Sequence, residues 1–105
     1  MGTTNFDAIQ LAAGQAIAGI SIYSVSLNPA SVAAATSAEQ TFTVTGLAVG
    51  DIPVVVKPTA SAGLGIVNAR VSATNTLAVT FMNATASPID AAAETYTILA
   101  IRPAA

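Results

Sequence analysis

The stretch IVNARVSATNTLAVTFMN, residues 66–83, decides the fold. Its second half alternates cleanly: Leu77, Val79 and Phe81 fall on one side, and Ala78, Thr80 and Met82 on the other. Strict alternation over this length is the mark of a half-buried strand, because successive side chains of a strand point to opposite faces. The first half is also rich in β-branched residues. The two runs are joined by Ala73-Thr74-Asn75, a short loop holding the asparagine that a tight turn accepts, so the pair reads as a β-hairpin.

Working outward, QTFTVTGL (40–47) alternates in the same way, with Phe42 and Val44 on one face and Thr41, Thr43 and Thr45 on the other. That pattern predicts an antiparallel strand with a solvated threonine face. IPVVVKP (52–58) places Ile52, Val54 and Val56 opposite Val55 and Lys57. Pro53 has no amide hydrogen to give to a ladder, which puts this strand at a sheet edge or makes Pro53 one of its first residues. TYTILAIRP (95–103) sets Tyr96, Ile98 and Ala100 against Leu99 and Ile101, and ISIYSVSL (20–27) stops at Asn28-Pro29. SVAAATSAEQ (31–40), TASAGLGI (59–66) and ATASPIDAAAE (84–94) read as loops, with a possible turn around Pro88 to Glu94.

About six strands and no convincing helix define an all-β chain, a small antiparallel β-sandwich or flattened barrel. Residues 1–20 carry Phe6, Ile9, Leu11 and Ile17 at no strand period, and Gly14 and Gly19 interrupt any helix. They are expected to form an extended N-terminal arm, either docking on a neighbouring subunit or fraying as a terminus or first edge strand. Residues 21–105 make up the sandwich domain.

Composition narrows the function. The chain has 105 residues, enough for one domain, of which area scaling lets about 64% of the surface be buried. It is 53% hydrophobic and 8% charged with a net charge of -2, against about 25% charged in ordinary soluble proteins. So little charge gives little mutual repulsion and favours association. Both faces of the 52–58 and 95–103 strands are apolar, although a thin sandwich solvates one face of each sheet. The second face calls for a cover: a subunit interface or packing under a long loop.

Lys57, Arg70 and Arg102 are the cations, spread along the chain, which argues against nucleic acid and against an anionic membrane surface. The uncharged run between Asp7 and Glu39 contains Gln10, Gln15, Ser21, Ser24, Ser26, Asn28 and Pro29, too polar for a membrane span. No Lys or Arg precedes it, so no secretory signal is expected.

Chemistry has few residues to work with. Without His or Cys, the usual neutral-pH base and the strongest nucleophile are both missing. Asp90 and Glu94 are close in sequence but flank an alanine-rich loop, and a Ser–Lys dyad would have to use Lys57. No loop has a calcium-binding pattern, and Asp51 after Gly50 reads as a turn residue capping its own backbone. Gly63-Leu64-Gly65 lacks the helix and lysine of a phosphate-binding loop, and Asn83-Ala84-Thr85 is a glycosylation pattern without a secretory context. No catalytic residue, cofactor or metal is expected.

Several segments resemble small structural proteins of tailed bacteriophages, the capsid decoration or cement proteins and related head and tail proteins. They are TFTVTGL-x-VGD at 41–51, V-x-KPT at 55–59, GLGIVNARVSA-x-NTLAVTFMN at 63–83 and ETYTILAIRP at 94–103. The resemblance spans about Glu39 to Pro103. It implies a β-sandwich forming symmetric oligomers, commonly trimers, on the capsid surface of the virion after assembly in the host cytoplasm. The partner is then the major capsid protein. Expected contact residues are Phe6, Ile9 and Leu11 in the arm, with Arg70 and Arg102 as polar anchors. The alternative is a receptor- or glycan-binding module of a fibre or tail, which the lack of Trp disfavours. A secreted adhesin domain and an enzyme rank behind both.

Overall fold

The computed structural model describes residues 14–104. They form six strands: β1 (Ile17–Leu27), β2 (Thr36–Thr43), β3 (Ile52–Val56), β4 (Leu64–Ala73), β5 (Thr76–Asn83) and β6 (Glu94–Pro103). These make two three-stranded antiparallel sheets, ordered β1-β6-β3 and β2-β5-β4, packed face to face as a sandwich. No helix occurs among the described residues. Apart from the β4–β5 hairpin, each connection crosses from one sheet to the other.

The alternating runs face as their period requires. Leu77, Val79 and Phe81 of β5 and Tyr96, Ile98 and Ala100 of β6 point inward and are buried, joined by Leu27, Val32, Val44, Leu47 and Val71. Each fully buried Leu, Ile or Phe removes enough apolar surface from water to contribute about 2 kcal/mol. Thr41, Thr43 and Thr45 are exposed, as predicted. β3 is an edge strand, consistent with Pro53, whose missing amide costs nothing on a free edge.

The hairpin turn is tighter than Ala73-Thr74-Asn75. Ala73 pairs with Thr76, leaving Thr74 and Asn75 as the loop. Asn75 adopts φ 60°, a conformation asparagine tolerates better than most residues. This turn is pinned to the chain after β2: the Val44 amide donates to the Asn75 carbonyl at 2.8 Å, the Asn75 amide to the Leu47 carbonyl at 2.8 Å, and the Gly46 amide to Asn75 Oδ1 at 2.9 Å. Gly46 is needed there for φ 112° and because a Cβ would lie 2.8 Å from the Tyr23 hydroxyl.

β2 stops at Thr43, leaving 44–47 of the predicted run outside the strand, and three strands begin earlier than the sequence reading has them. β1 begins at Ile17, inside the stretch assigned to the arm, because Ile17 and Gly19 pair with Pro103 and Arg102 across a register shift that hides the strand period. Thr36–Gln40 belongs to β2, not to a loop. Its inward positions are Ala38, opposite Phe81, and Gln40, opposite Val79, so an apolar alternation is missing although the strand is there. β4 starts at Leu64, two residues before the hairpin run was read to begin, after a Ser61–Leu64 bridge.

Tyr96 carries an unresolved cost. Its hydroxyl is buried without a hydrogen-bond partner among the described residues, and burial, with Glu94 nearby, pushes its pKa above the ordinary value. Tyr96→Phe removes an unpaired polar group and keeps the ring. It is expected to raise stability by about 1 kcal/mol, read as a higher urea midpoint at unchanged slope; a lower midpoint would mean that the hydroxyl is satisfied.

Candidate functional site

The two outer faces of the sandwich are chemically opposite. On the β2-β5-β4 sheet, the outward residues include Ser37, Glu39, Thr41, Thr43, Thr80, Asn68 and Arg70. On the β1-β6-β3 sheet, the ladder register builds apolar rows across all three strands. Ile20, Ile101 and Ile52 form the first row, and Ile22, Leu99 and Val54 the second. Ser24, Thr97 and Val56 form a third, more polar row. Ile20, Ile22, Ile52, Val54 and Val56 are between 48% and 71% exposed, and Leu99 and Ile101 are partly exposed between them. No loop of the described residues covers this face.

The face follows from the local sequence. β6 is apolar in both phases, so burying Tyr96, Ile98 and Ala100 turns Leu99 and Ile101 outward. β3 does the same with Ile52, Val54 and Val56, because Val55 takes the inward position opposite Ile98. None of the outward positions in these rows carries a charge.

The charged groups are paired elsewhere. Arg70 lies on the polar face and grips Glu39 with two hydrogen bonds of 2.8 and 2.9 Å. These bonds hold the Glu39 carboxyl below its usual range. Arg102 makes two 2.8 Å bonds to the buried Asp51 and one of 3.1 Å to the Gly46 carbonyl. Asp51 does cap its own turn, accepting from the Ala48 amide at 3.0 Å, but its main partner is Arg102, which lowers its pKa most. Arg70 and Arg102, read as anchors toward another subunit, thus both have carboxylate partners within the chain, and neither belongs to the apolar rows. Phe6, Ile9 and Leu11 lie outside the described residues.

Sequence reasoning missed the third ion pair, Lys57 Nζ to Glu94 Oε2 at 2.9 Å. Lys57 also donates to the Thr59 carbonyl and, at 3.2 Å, to Ser61 Oγ. These groups border a shallow cavity of about 160 Å³ together with Leu64, Ile66 and Phe81. The contact between Lys57 and Ser61 has the make-up of a Ser–Lys dyad, but the amine is also engaged by the Glu94 carboxylate and the Thr59 carbonyl. Glu94, half of the carboxylate pair considered with Asp90, is committed to that lysine, which together with Thr59 lowers its pKa. Among the described residues, no three His, Cys, Asp or Glu side chains come together as a metal site.

Asn83, the asparagine of the glycosylation pattern, is fully buried. Its amide nitrogen donates to the carbonyls of Val32 at 3.0 Å and Ser87 at 2.8 Å, so the folded chain offers it to no modifying enzyme. Compared with protein families, curated proteins and solved structures, the chain matches none of them.

Proposed function

We propose that this chain is a structural subunit of a tailed-phage virion, a capsid decoration protein that stabilises junctions between major capsid subunits. The observation that carries the reading is the open, uncharged apolar face of the β1-β6-β3 sheet on a chain that is only 8% charged. A contiguous apolar face of this kind is the signature of a surface meant to be covered. The resemblance of residues 41–51, 55–59, 63–83 and 94–103 to phage structural proteins supplies the setting. Those residues include β4, β5 and β6 and the end of β3, so it rests on the sandwich itself.

The aromatic side chains weigh against a glycan-binding module. Phe81 and Tyr96 are fully buried, and Tyr23 and Phe42 pack against the core, which leaves no aromatic platform among the described residues. The test is heat-induced rupture of expanded heads of the encoding phage, with and without the purified subunit. Saturable binding and rupture at a temperature several degrees higher are expected. Heads that neither bind the subunit nor gain stability would end the decoration reading.

A further inference from the structure

We infer that the outer face of the β1-β6-β3 sheet is a self-association surface, and that its occupant is the same face of a second copy of this chain. The inference deepens the reading of the chain as an assembly subunit and rests on it.

Area is the first argument. With Leu99 and Ile101 between them, Ile20, Ile22, Ile52, Val54 and Val56 leave roughly 500 Å² of apolar surface open, in the upper part of what a monomer ordinarily carries. Two such faces pressed together bury about 1,000 Å², the least that a specific stable interface needs. The packing is one that sheets already use: two faces about 10 Å apart, with strands aligned to within about 30°.

Charge is the second argument. A partner of opposite charge would be recognised by charged groups, and the apolar rows hold none. Pairing the face with itself brings no like charges together, so nothing opposes a two-fold arrangement.

The remaining surface is the third. Head-to-tail packing, as in a ring of three, needs a second, different apolar patch to receive the first. The other large exposed apolar residues among those described are Val49, Val67 and Met82, placed on the β2–β3 connection, β4 and β5. Val67 and Met82 are two side chains on neighbouring strands of an otherwise polar face, and Val49 lies on a loop, too little to receive a face of seven apolar residues. The geometry therefore favours a two-fold pair over the trimer that the resemblance implies.

The chain's own residues 1–13 are the rival occupant. They hold three large apolar side chains, Phe6, Ile9 and Leu11. Three large apolar side chains match fewer than half of the seven on the face, whereas a second copy matches all seven.

The test is the mass of the full chain by sedimentation and light scattering at tens of micromolar. The expected result is about twice the 10.3 kDa of one chain. Ile22→Lys with Val54→Lys puts two ammonium groups per copy into the apolar contact and is expected to weaken pairing by on the order of 100-fold or more. Both side chains are largely open to solvent, so the sandwich should survive; a dispersed amide NMR spectrum checks that it does. Thr41→Lys, on the opposite face, should leave the mass unchanged. A wild-type monomer, a trimer, or a dimer indifferent to the two lysines overturns the inference. So does a chain that pairs only after residues 1–13 are deleted. Head binding reads out separately: failure there ends the decoration reading even if the pair forms.

Discussion

Asn83→Asp is expected to remove about 4 kcal/mol or more of stability, a large part of what a domain of this size possesses. Asn83 ends β5 in phase with Leu77, Val79 and Phe81, so its side chain turns inward among apolar neighbours. Every hydrogen-bonding group of its amide is engaged. The nitrogen donates to Val32 and Ser87, and the oxygen accepts from the Thr85 amide at 2.9 Å and the Thr85 hydroxyl at 2.7 Å. The residue thereby ties the β1–β2 connection to the β5–β6 connection, beside the two-way bridge between Val32 and Ile89. An aspartate of the same shape has no donors and sets a buried negative oxygen against two carbonyl oxygens. Protonation restores one donor, so the carboxyl introduced at position 83 should have a raised folded-state pKa. The defect is then largest above that pKa and shrinks as the pH falls through it toward the unfolded value. Urea denaturation from neutral to acid pH measures both features. A loss under 1 kcal/mol, or one that does not change with pH, would show that the amide organises nothing.

Phe81→Ala is the second large loss, expected at about 3–5 kcal/mol. Phe81 is fully buried at the middle of the central strand β5, between Ala38 of β2 and Ile66 of β4. The ring fills space on behalf of Ala38, which is too short to move in after it. Backbone ladders on both sides hold β5 in place, so the void cannot close by collapse of the sheet. The void also adjoins the cavity bordered by Lys57 and Ser61. Chemical denaturation should show a lower midpoint at unchanged slope. A change of slope would mean instead that the native state had loosened.

These two residues also mark what was legible beforehand. Phe81 sits in a run whose period of two sorts inward from outward without knowledge of the partner strands, and the same holds for Phe42. The surplus apolar phase of 52–58 and 95–103 announced the open face for the same reason. Asn83 lies in that phase too, but its polarity argued for solvent, and only the loops brought round to it by the fold explain its burial. Gln40 repeats the case: it points inward and uses its side-chain amide to pair with the Ala30 backbone, at 2.7 and 2.9 Å. The ion pairs were hidden differently. Arg70 and Glu39 meet across β5, while Arg102 and Asp51 are 51 residues apart. Such pairings depend on strand order, which periodicity does not encode.

The strand order also sets a timetable. β1 and β3 pair only with β6, and β2 pairs only with β5, so the first three strands leaving the ribosome have no partner among themselves. The β4–β5 hairpin is the earliest ladder that can close, and the β1-β6-β3 sheet cannot form until Glu94–Pro103 has emerged. Closing such distant contacts late is slow, because the intervening chain must be ordered before any of them rewards it. During that interval the valines and isoleucines of β1 and β3 are exposed without a sheet to hold them. Few charges are present to keep nascent copies apart. Overproduction should therefore strain the chain before it is complete more than after, and solubility during synthesis should depend on how quickly the last ten strand residues become available.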